Sequence, residues 1–166
     1  MKCMVVVMLL ALTAWVHAGG KPTPKFSATF HIETDGMDNP KMIFRQLANG
    51  KERVFRRMPE IGTRDIETFQ PIPSDMDEGY GVMFKLNSTA AQRLTAITHA
   101  NIGKCLVARL NGRLVDGVIL DKPITDGVLV IWRNVSLNDI NLMDESIPRF
   151  GETKIKKKVK QKKQSN

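Results

Sequence analysis

The chain has 166 residues, a formal net charge of +8, a pI near 9.7 and only two cysteines. Between positions 19 and 153, seven lysines and ten arginines cancel seventeen acidic residues, so the excess charge belongs to Lys2 and to Lys154, Lys156, Lys157, Lys158, Lys160, Lys162 and Lys163. A neutral body excludes a nucleic-acid-binding domain inferred from pI alone, and so few cysteines exclude a disulfide-stapled scaffold.

Lys2, the apolar run 3–15 and the small residues at Val16 and Ala18 stand in the order of a cleavable secretory signal peptide over 1–18. That order predicts cleavage near Ala18 and an exported mature chain, periplasmic or extracellular. The run meets Gly19, Gly20, Lys21 and Pro22, short of the roughly 20 apolar residues of a retained spanning helix. No later segment is longer or more apolar, so a soluble mature protein is expected. Cys3 would leave with the leader, and Cys105 is then expected as a buried thiol, with intermolecular pairing as the alternative.

The first mature element alternates Phe26, Ala28, Phe30 and Ile32 with Ser27, Thr29, His31 and Glu33, the period of a half-buried strand. A break at 35–40 precedes a second strand carrying Met42, Phe44 and Leu47, and Asn49-Gly50 turns the chain into a third around Val54 and Phe55 that Pro59 ends. Thr63 with Asp65-Ile66 suggests a short helical turn, and Pro71-Ile72-Pro73 is extended.

Residues 80–86 alternate again. Asn87 or Ser88 then caps a helix over about 88–102, with apolar positions Ala90, Leu94 and Ile97, and Gly103 stands where a left-handed residue ends it. Strands over 104–110 and 113–120 flank Asn111-Gly112, a two-residue hairpin signal in which both residues take positive φ. Pro123 and Gly127 bracket a loop before a strand at 128–132, and Ser136-Leu137-Asn138-Asp139 has the form of a capping box for a short helix. The pattern predicts an α+β domain: a mainly antiparallel sheet, the main helix packed on one face, and one or two short helices. Whether the strands of 19–53 form an independent hairpin or join the same sheet stays open. The stretch 151–166 has too few apolar residues to fold alone and is expected as a disordered Lys-rich tail.

From Gly103 through the hairpin to Leu114-Val115, and then through Asp121-Lys122-Pro123-Ile124-Thr125-Asp126-Gly127, the sequence resembles the first periplasmic domain of SecD and SecDF, membrane subunits that assist preprotein export. The resemblance extends upstream to Val54, with Thr63-Arg64-Asp65-Ile66 similar to a family start, and downstream over Val135-Ser136-Leu137-Asn138-Asp139-Ile140, so that it spans 54–150. It implies the α+β fold and a domain without catalytic chemistry. Its matching residues Gly103, Asn111, Gly112, Pro123 and Gly127 are turns and caps, that is, structural motifs. The chain departs from the family pattern at Asp116-Gly117-Val118, where a Ser-Ala-Pro type sequence is usual, and at Trp132-Arg133-Asn134, where a glycine is expected. The family's transmembrane helices have no counterpart in these 166 residues, so an ion-driven translocation motor is not expected.

The chemistry-bearing residues form no familiar constellation. His31 and His99 are far apart and lack a second ligand at metal spacing, so both are expected on exposed faces, and no metal or cofactor is expected. Asp75-x-Asp77-x-Gly79 begins like a calcium loop, but Leu86 stands where the bidentate acid would fall. No nucleophile elbow, phosphate loop or dinucleotide fingerprint occurs. Asn87-Ser88-Thr89 and Asn134-Val135-Ser136 match the glycosylation acceptor pattern, each at an expected helix start. The methionines are scattered and suit core filling. The seven tail lysines, without an interleaved aromatic, would suit an anionic polymer or lipid surface read without sequence preference, or else a solvating terminus.

Taken together these features predict a non-enzymatic exported module that binds a protein or envelope component through sheet edges and the concave face beside the hairpin 106–120. The alternatives are a polyanion binder acting through the lysine tail and a secreted hydrolase with an unrecognised acid pair.

Overall fold

A computed structural model describes residues 26–36, 39–74 and 79–152. The expected leader, the lysine tail and the Asp75-x-Asp77 motif lie outside the described residues. Among the described residues nine strands and two α-helices follow in chain order, with short 3-10 turns at Pro40–Met42 and, as expected, Thr63–Asp65: β1 (Ala28–Ile32), β2 (Ile43–Ala48), β3 (Lys51–Arg56), β4 (Ile61–Gly62), β5 (Ile66–Pro73), β6 (Tyr80–Leu86), α1 (Ser88–Ala100), β7 (Cys105–Leu110), β8 (Arg113–Ile119), β9 (Val128–Val135) and α2 (Leu137–Ser146). Every strand pair is antiparallel. The class is α+β, with a second helix of ten residues beside the expected main one.

Three sheets result, in the orders β4-β1-β7-β8, β2-β3 and β5-β6-β9. Strand β1 is thus an inner strand, and only β2 and β3 stand apart as a hairpin. The core draws on both larger sheets. Phe30 of β1 meets Phe84 of β6 edge-on at 6.1 Å, and Ala90 and Leu94 of α1 with Ile140 and Met143 of α2 complete the same cluster. A smaller cluster of Ala48, Phe55, Cys105 and Val107 fills the other face of the four-stranded sheet, beneath the β2–β3 ribbon.

That ribbon corrects the expectation for His31. Period-two alternation places the residue on the outward face of β1, and a half-buried strand would leave it in water. The ribbon covers that face, so His31 is only 5 % exposed. Its Nδ1 lies 2.9 Å from the Arg56 carbonyl oxygen, its Nε2 3.0 Å from Thr29 Oγ1, and its ring meets Phe44 edge-on at 5.2 Å. His99, on α1, is exposed as expected. The same cover buries β7 on both faces and encloses Cys105 completely.

The punctuation follows backbone chemistry. Asn49-Gly50 and Asn111-Gly112 both take positive φ (51° and 72°, 50° and 81°), as a two-residue hairpin turn requires. Asn87 Oδ1 accepts the Ala90 N–H at 2.9 Å and Ser136 Oγ the Asp139 N–H at 3.1 Å, so each helix begins on the side-chain cap written at its start. Strand β9 runs to Val135, past the expected end at 132, because β6 continues to pair with it across an irregularity. Among the described residues no helix is long and apolar enough to cross a membrane.

Candidate functional site

The two larger sheets approach each other along β8 and β9, which are the edge strands of their respective sheets. At one end the edges are held together without a backbone ladder. The Asp116 carboxylate, buried between them, accepts the Trp132 N–H at 2.9 Å through Oδ2, and through Oδ1 the Gly117 N–H at 2.9 Å and Arg133 Nε at 3.3 Å. Asn134, in the left-handed region at φ 61°, donates from Nδ2 to the Val115 carbonyl at 2.8 Å, and Arg113 donates to the Asn134 carbonyl at 3.1 Å. The two segments that depart from the SecD pattern, 116–118 and 132–134, therefore meet each other and are joined by side chains.

Beyond this junction the edges splay and enclose a groove of about 530 Å³. Phe30, Leu106 and Ala108 from the main core line it. Val118, Ile119, Val128 and Val130 come from the two edges, Pro123 and Ile124 from the connecting loop, and Trp132 also lines it. Val118, Ile119 and Trp132 are 38 %, 40 % and 47 % exposed, so apolar surface is open to water here.

Backbone direction adds a second property. Leu120 N donates to Lys104 O, and Leu86 N donates to Gly127 O. Alternation along each ladder from those bonds turns the N–H and C=O of Ile119 away from β7, and those of Val128 and Val130 away from β6. These groups face the gap between the sheets. Asp126 Oδ1 already accepts the Val128 N–H at 3.0 Å, so Ile119 and Val130 offer the open edge.

The connecting loop is anchored by α1. Ile124 N donates to Thr98 Oγ1 and Thr95 Oγ1 donates to Ile124 O, both at 2.9 Å. Thr98 is fully buried, and its own hydroxyl donates to the Leu94 carbonyl at 2.8 Å. Gly127 closes the loop at φ 69°, where a Cβ would stand 2.8 Å from that of Ala91. Sequence reasoning singled out Pro123 and Gly127 as turn residues; Pro123 lines the groove, and Gly127 ends the loop that forms its wall. Gly103, at φ 83°, donates its N–H to the Leu120 carbonyl at 2.7 Å, at the entrance to the same loop.

Asn111 does more than turn the hairpin. Its Oδ1 accepts the Ser27 N–H at 2.9 Å and its Nδ2 donates to Asp139 Oδ1 at 3.2 Å. The buried Asp139 also takes Arg113 at 2.8 Å and Ser136 Oγ at 2.7 Å. The Asn111 carboxamide thus ties the hairpin turn to the segment entering β1 and to the Asp139 carboxylate of α2. Gly112 lends its carbonyl to the Arg109 guanidinium at 2.6 Å, while that guanidinium lies over Phe44.

The remaining candidates distribute as follows. Asp116, Asp121 and Asp126 line the groove, but Asp116 and Asp126 already accept backbone N–H groups, and neither His31 nor His99 lies there. Among the described residues no set of three His, Cys, Asp or Glu side chains is arranged to hold a metal. Asn87 and Asn134, the two glycosylation-pattern asparagines, have their carboxamides engaged by the backbone. Burial pushes the Cys105 thiol up to about 11. Sequence reasoning missed the groove's own determinants, Asp116, Ile119, Val130 and Trp132. The available signal was that an acid and a tryptophan replaced the residues usual in the resembled family.

No family model and no curated protein matches the chain. Two solved structures share its fold. One, described as "Structure and function of a membrane component SecDF that enhances protein export", aligns at a TM-score of 0.51 and 18 % identity over 70 % of this chain and 59 % of that one. The other, described as "Crystal structure of SecDF in Super-membrane-facing form", aligns at a TM-score of 0.52 and 19 % identity over 72 % of this chain and 18 % of that one. The chain is therefore similar in fold to a SecD-like periplasmic domain and spans less than two thirds of either structure's length.

Proposed function

We propose that the chain is a non-catalytic, exported accessory module that binds an extended segment of another protein in the groove between β8 and β9, in the service of protein export. The observation that carries this reading is the splay of two sheet edges over an apolar floor. An extended segment entering there would find backbone partners at Ile119 and Val130, and its alternate side chains would reach the surface around Phe30, Leu106 and Ala108. Burial of apolar side chains supplies affinity at about 25 cal/mol per Å² removed from water, and backbone pairing supplies the alignment. The SecDF described by its structure as enhancing protein export supports the setting. In this reading the signal peptide delivers the domain outside the cytoplasm, and the seven tail lysines add electrostatic tethering to an anionic surface.

Catalysis finds little support in the groove. A pair of acids acting as general acid and base needs two carboxylates able to exchange protons with substrate, whereas of the three in the groove Asp116 is fixed by three donors and Asp126 by the Val128 N–H. The test is titration of the protein with a reduced, carboxymethylated and permanently unfolded polypeptide, followed by Trp132 fluorescence. Replacing Val118, which pairs with the floor residue Leu106, by Arg should weaken binding by at least about tenfold, the cost of placing one unpaired charge on an apolar contact. Equal affinity for the variant would remove the groove from the account.

A further inference from the structure

The β2–β3 ribbon carries a second surface, on the side of the four-stranded sheet opposite the groove. Its inward residues Phe44, Ala48 and Phe55 pack on the sheet. Its tip is tied down by Asn49 Nδ2, which donates to the Gly117 carbonyl at 3.1 Å. The register Ile43↔Arg56, Arg45↔Val54, Leu47↔Glu52 puts these six side chains on the outward face, and nothing among the described residues covers Leu47, which is 63 % exposed. At the open end of the ribbon Met42 and Met58 are also exposed, at 53 % and 73 %. Leu47 and Met58 are the two most exposed large apolar side chains described.

Cations accompany these apolar groups. Arg45 and Arg56 lie 3.6 and 3.4 Å from Glu52 and Glu60, so those charges offset one another. Lys41 and Arg57 leave the open end of the ribbon positive, whereas Lys51, opposite Ala48, belongs to the other face. Arg57 directs its guanidinium to the carbonyl oxygens of Lys41 and Ile43, at 3.0 Å each, and these do not neutralise it.

We infer that this outward ribbon face docks on an anionic lipid bilayer, with Leu47, Met42 and Met58 entering the headgroup boundary and Lys41 and Arg57 facing lipid phosphates. Long, unbranched or γ-branched side chains projecting singly among cations suit a deformable interface, where each inserts independently and each nearby charge adds attraction. A second copy is disfavoured as the occupant because two such faces would bring like charges together. Docking through the ribbon leaves the groove uncovered, because Phe30, Leu106 and Ala108 face the other side of the sheet.

The experiment is co-sedimentation of the full mature chain with vesicles of phosphatidylcholine alone or with 30 % phosphatidylglycerol, on the order of physiological salt. Three proteins are compared: the unaltered chain, the double variant Leu47→Asp with Met58→Asp, and a chain whose seven tail lysines are Gln. Both ribbon positions are exposed, and matching circular dichroism spectra establish that the double variant is folded. Binding to the anionic vesicles should fall by at least about tenfold in the double variant and survive in the tail variant. Unchanged binding by the double variant, complete loss in the tail variant, binding unaffected by phosphatidylglycerol, or no vesicle binding would each overturn the proposal.

Discussion

Asp116 Oδ2 accepts the backbone N–H of Trp132 at 2.9 Å, so that a side chain from the edge of one sheet occupies a position on the edge of another where a strand would otherwise pair. This contact decides where the sheets touch and where they part. On one side Asn134 and Arg113 continue the junction; on the other Ile119 and Val130 are left across a gap. The groove is the consequence of a junction made by side chains over only part of two strand lengths.

Replacing Asp116 by Ala would leave the Trp132 and Gly117 N–H groups without their acceptor and Arg133 without its carboxylate partner. A buried donor left unsatisfied costs about 1–3 kcal/mol, so urea unfolding should show a loss of about 2–4 kcal/mol. Asp116→Asn should recover part of it, since the amide oxygen can still accept one bond. Equal stability of the Ala variant would mean that the junction is held by other contacts.

Asn111 supplies two bonds as well as a left-handed backbone conformation. Asn111→Ala should therefore be more destabilising than a turn substitution alone, by about 2–3 kcal/mol from the added φ strain and the lost bonds to Ser27 and Asp139. Asn111→Gly relieves the φ strain and should cost less. Denaturation of the two variants side by side separates the terms, and a Gly variant as unstable as the Ala variant would assign the whole effect to the side chain.

His31 gives a pH dependence of definite sign. Burial, its largest influence, holds the imidazole below its ordinary value of 6.5, with Arg109 acting in the same direction and the Arg56 carbonyl opposing. The folded state binds its proton less readily than the unfolded one, so this contribution is complete above pH 6.5 and is lost as pH falls from 6.5 through the lower folded value. Thermal unfolding should show a midpoint decreasing from pH 7 toward pH 5. The decrease should be smaller in His31→Gln, and an identical slope in both proteins would rule out His31 as its source.

Cys105 has its thiol raised to about 11, chiefly by burial. At neutral pH the thiolate fraction is negligible and the sulfur is enclosed, so the native protein should react with an aromatic disulfide reagent only as fast as it opens. The denatured protein should react at once. Rapid labelling of the native form would contradict the burial. Because the folded thiol holds its proton longer than the unfolded one, its contribution to stability diminishes as pH rises above 9 and approaches 11.

Gly81 is needed for a packing reason, since its Cβ would stand 2.7 Å from the Ile131 carbonyl oxygen and 2.9 Å from Ile72 Cγ1. Gly81→Ala should destabilise by about 1–3 kcal/mol through overpacking between β6 and β9. Calorimetry should find a lowered melting temperature. An unchanged value would mean that the strands separate there at little cost.

The local elements were legible because each carries its own chemistry. Asn-Gly pairs wrote the two hairpins, Asn87 and Ser136 wrote the helix starts, and the alternation at Val82, Phe84 and Leu86 marked the core face of β6. Contacts between elements were not legible. A period of two distinguishes the faces of β1 but does not disclose that a ribbon from later in the chain covers the second face, and for this reason His31 was expected in water. The groove was foreshadowed only as a concave surface beside the hairpin 106–120. Its position depends on which edges meet, and Asp116 and Trp132 stand sixteen residues apart with no local pattern linking them.

The most direct measurement of the central claim is amide hydrogen exchange, read residue by residue, with and without a permanently unfolded polypeptide bound. If an extended segment pairs with the open edges, the amides of Ile119 and Val130 should gain protection of at least about tenfold while exposed amides remote from the groove stay unchanged. Protection arising elsewhere, with Ile119 and Val130 exchanging as in the free protein, would contradict the groove as the binding site.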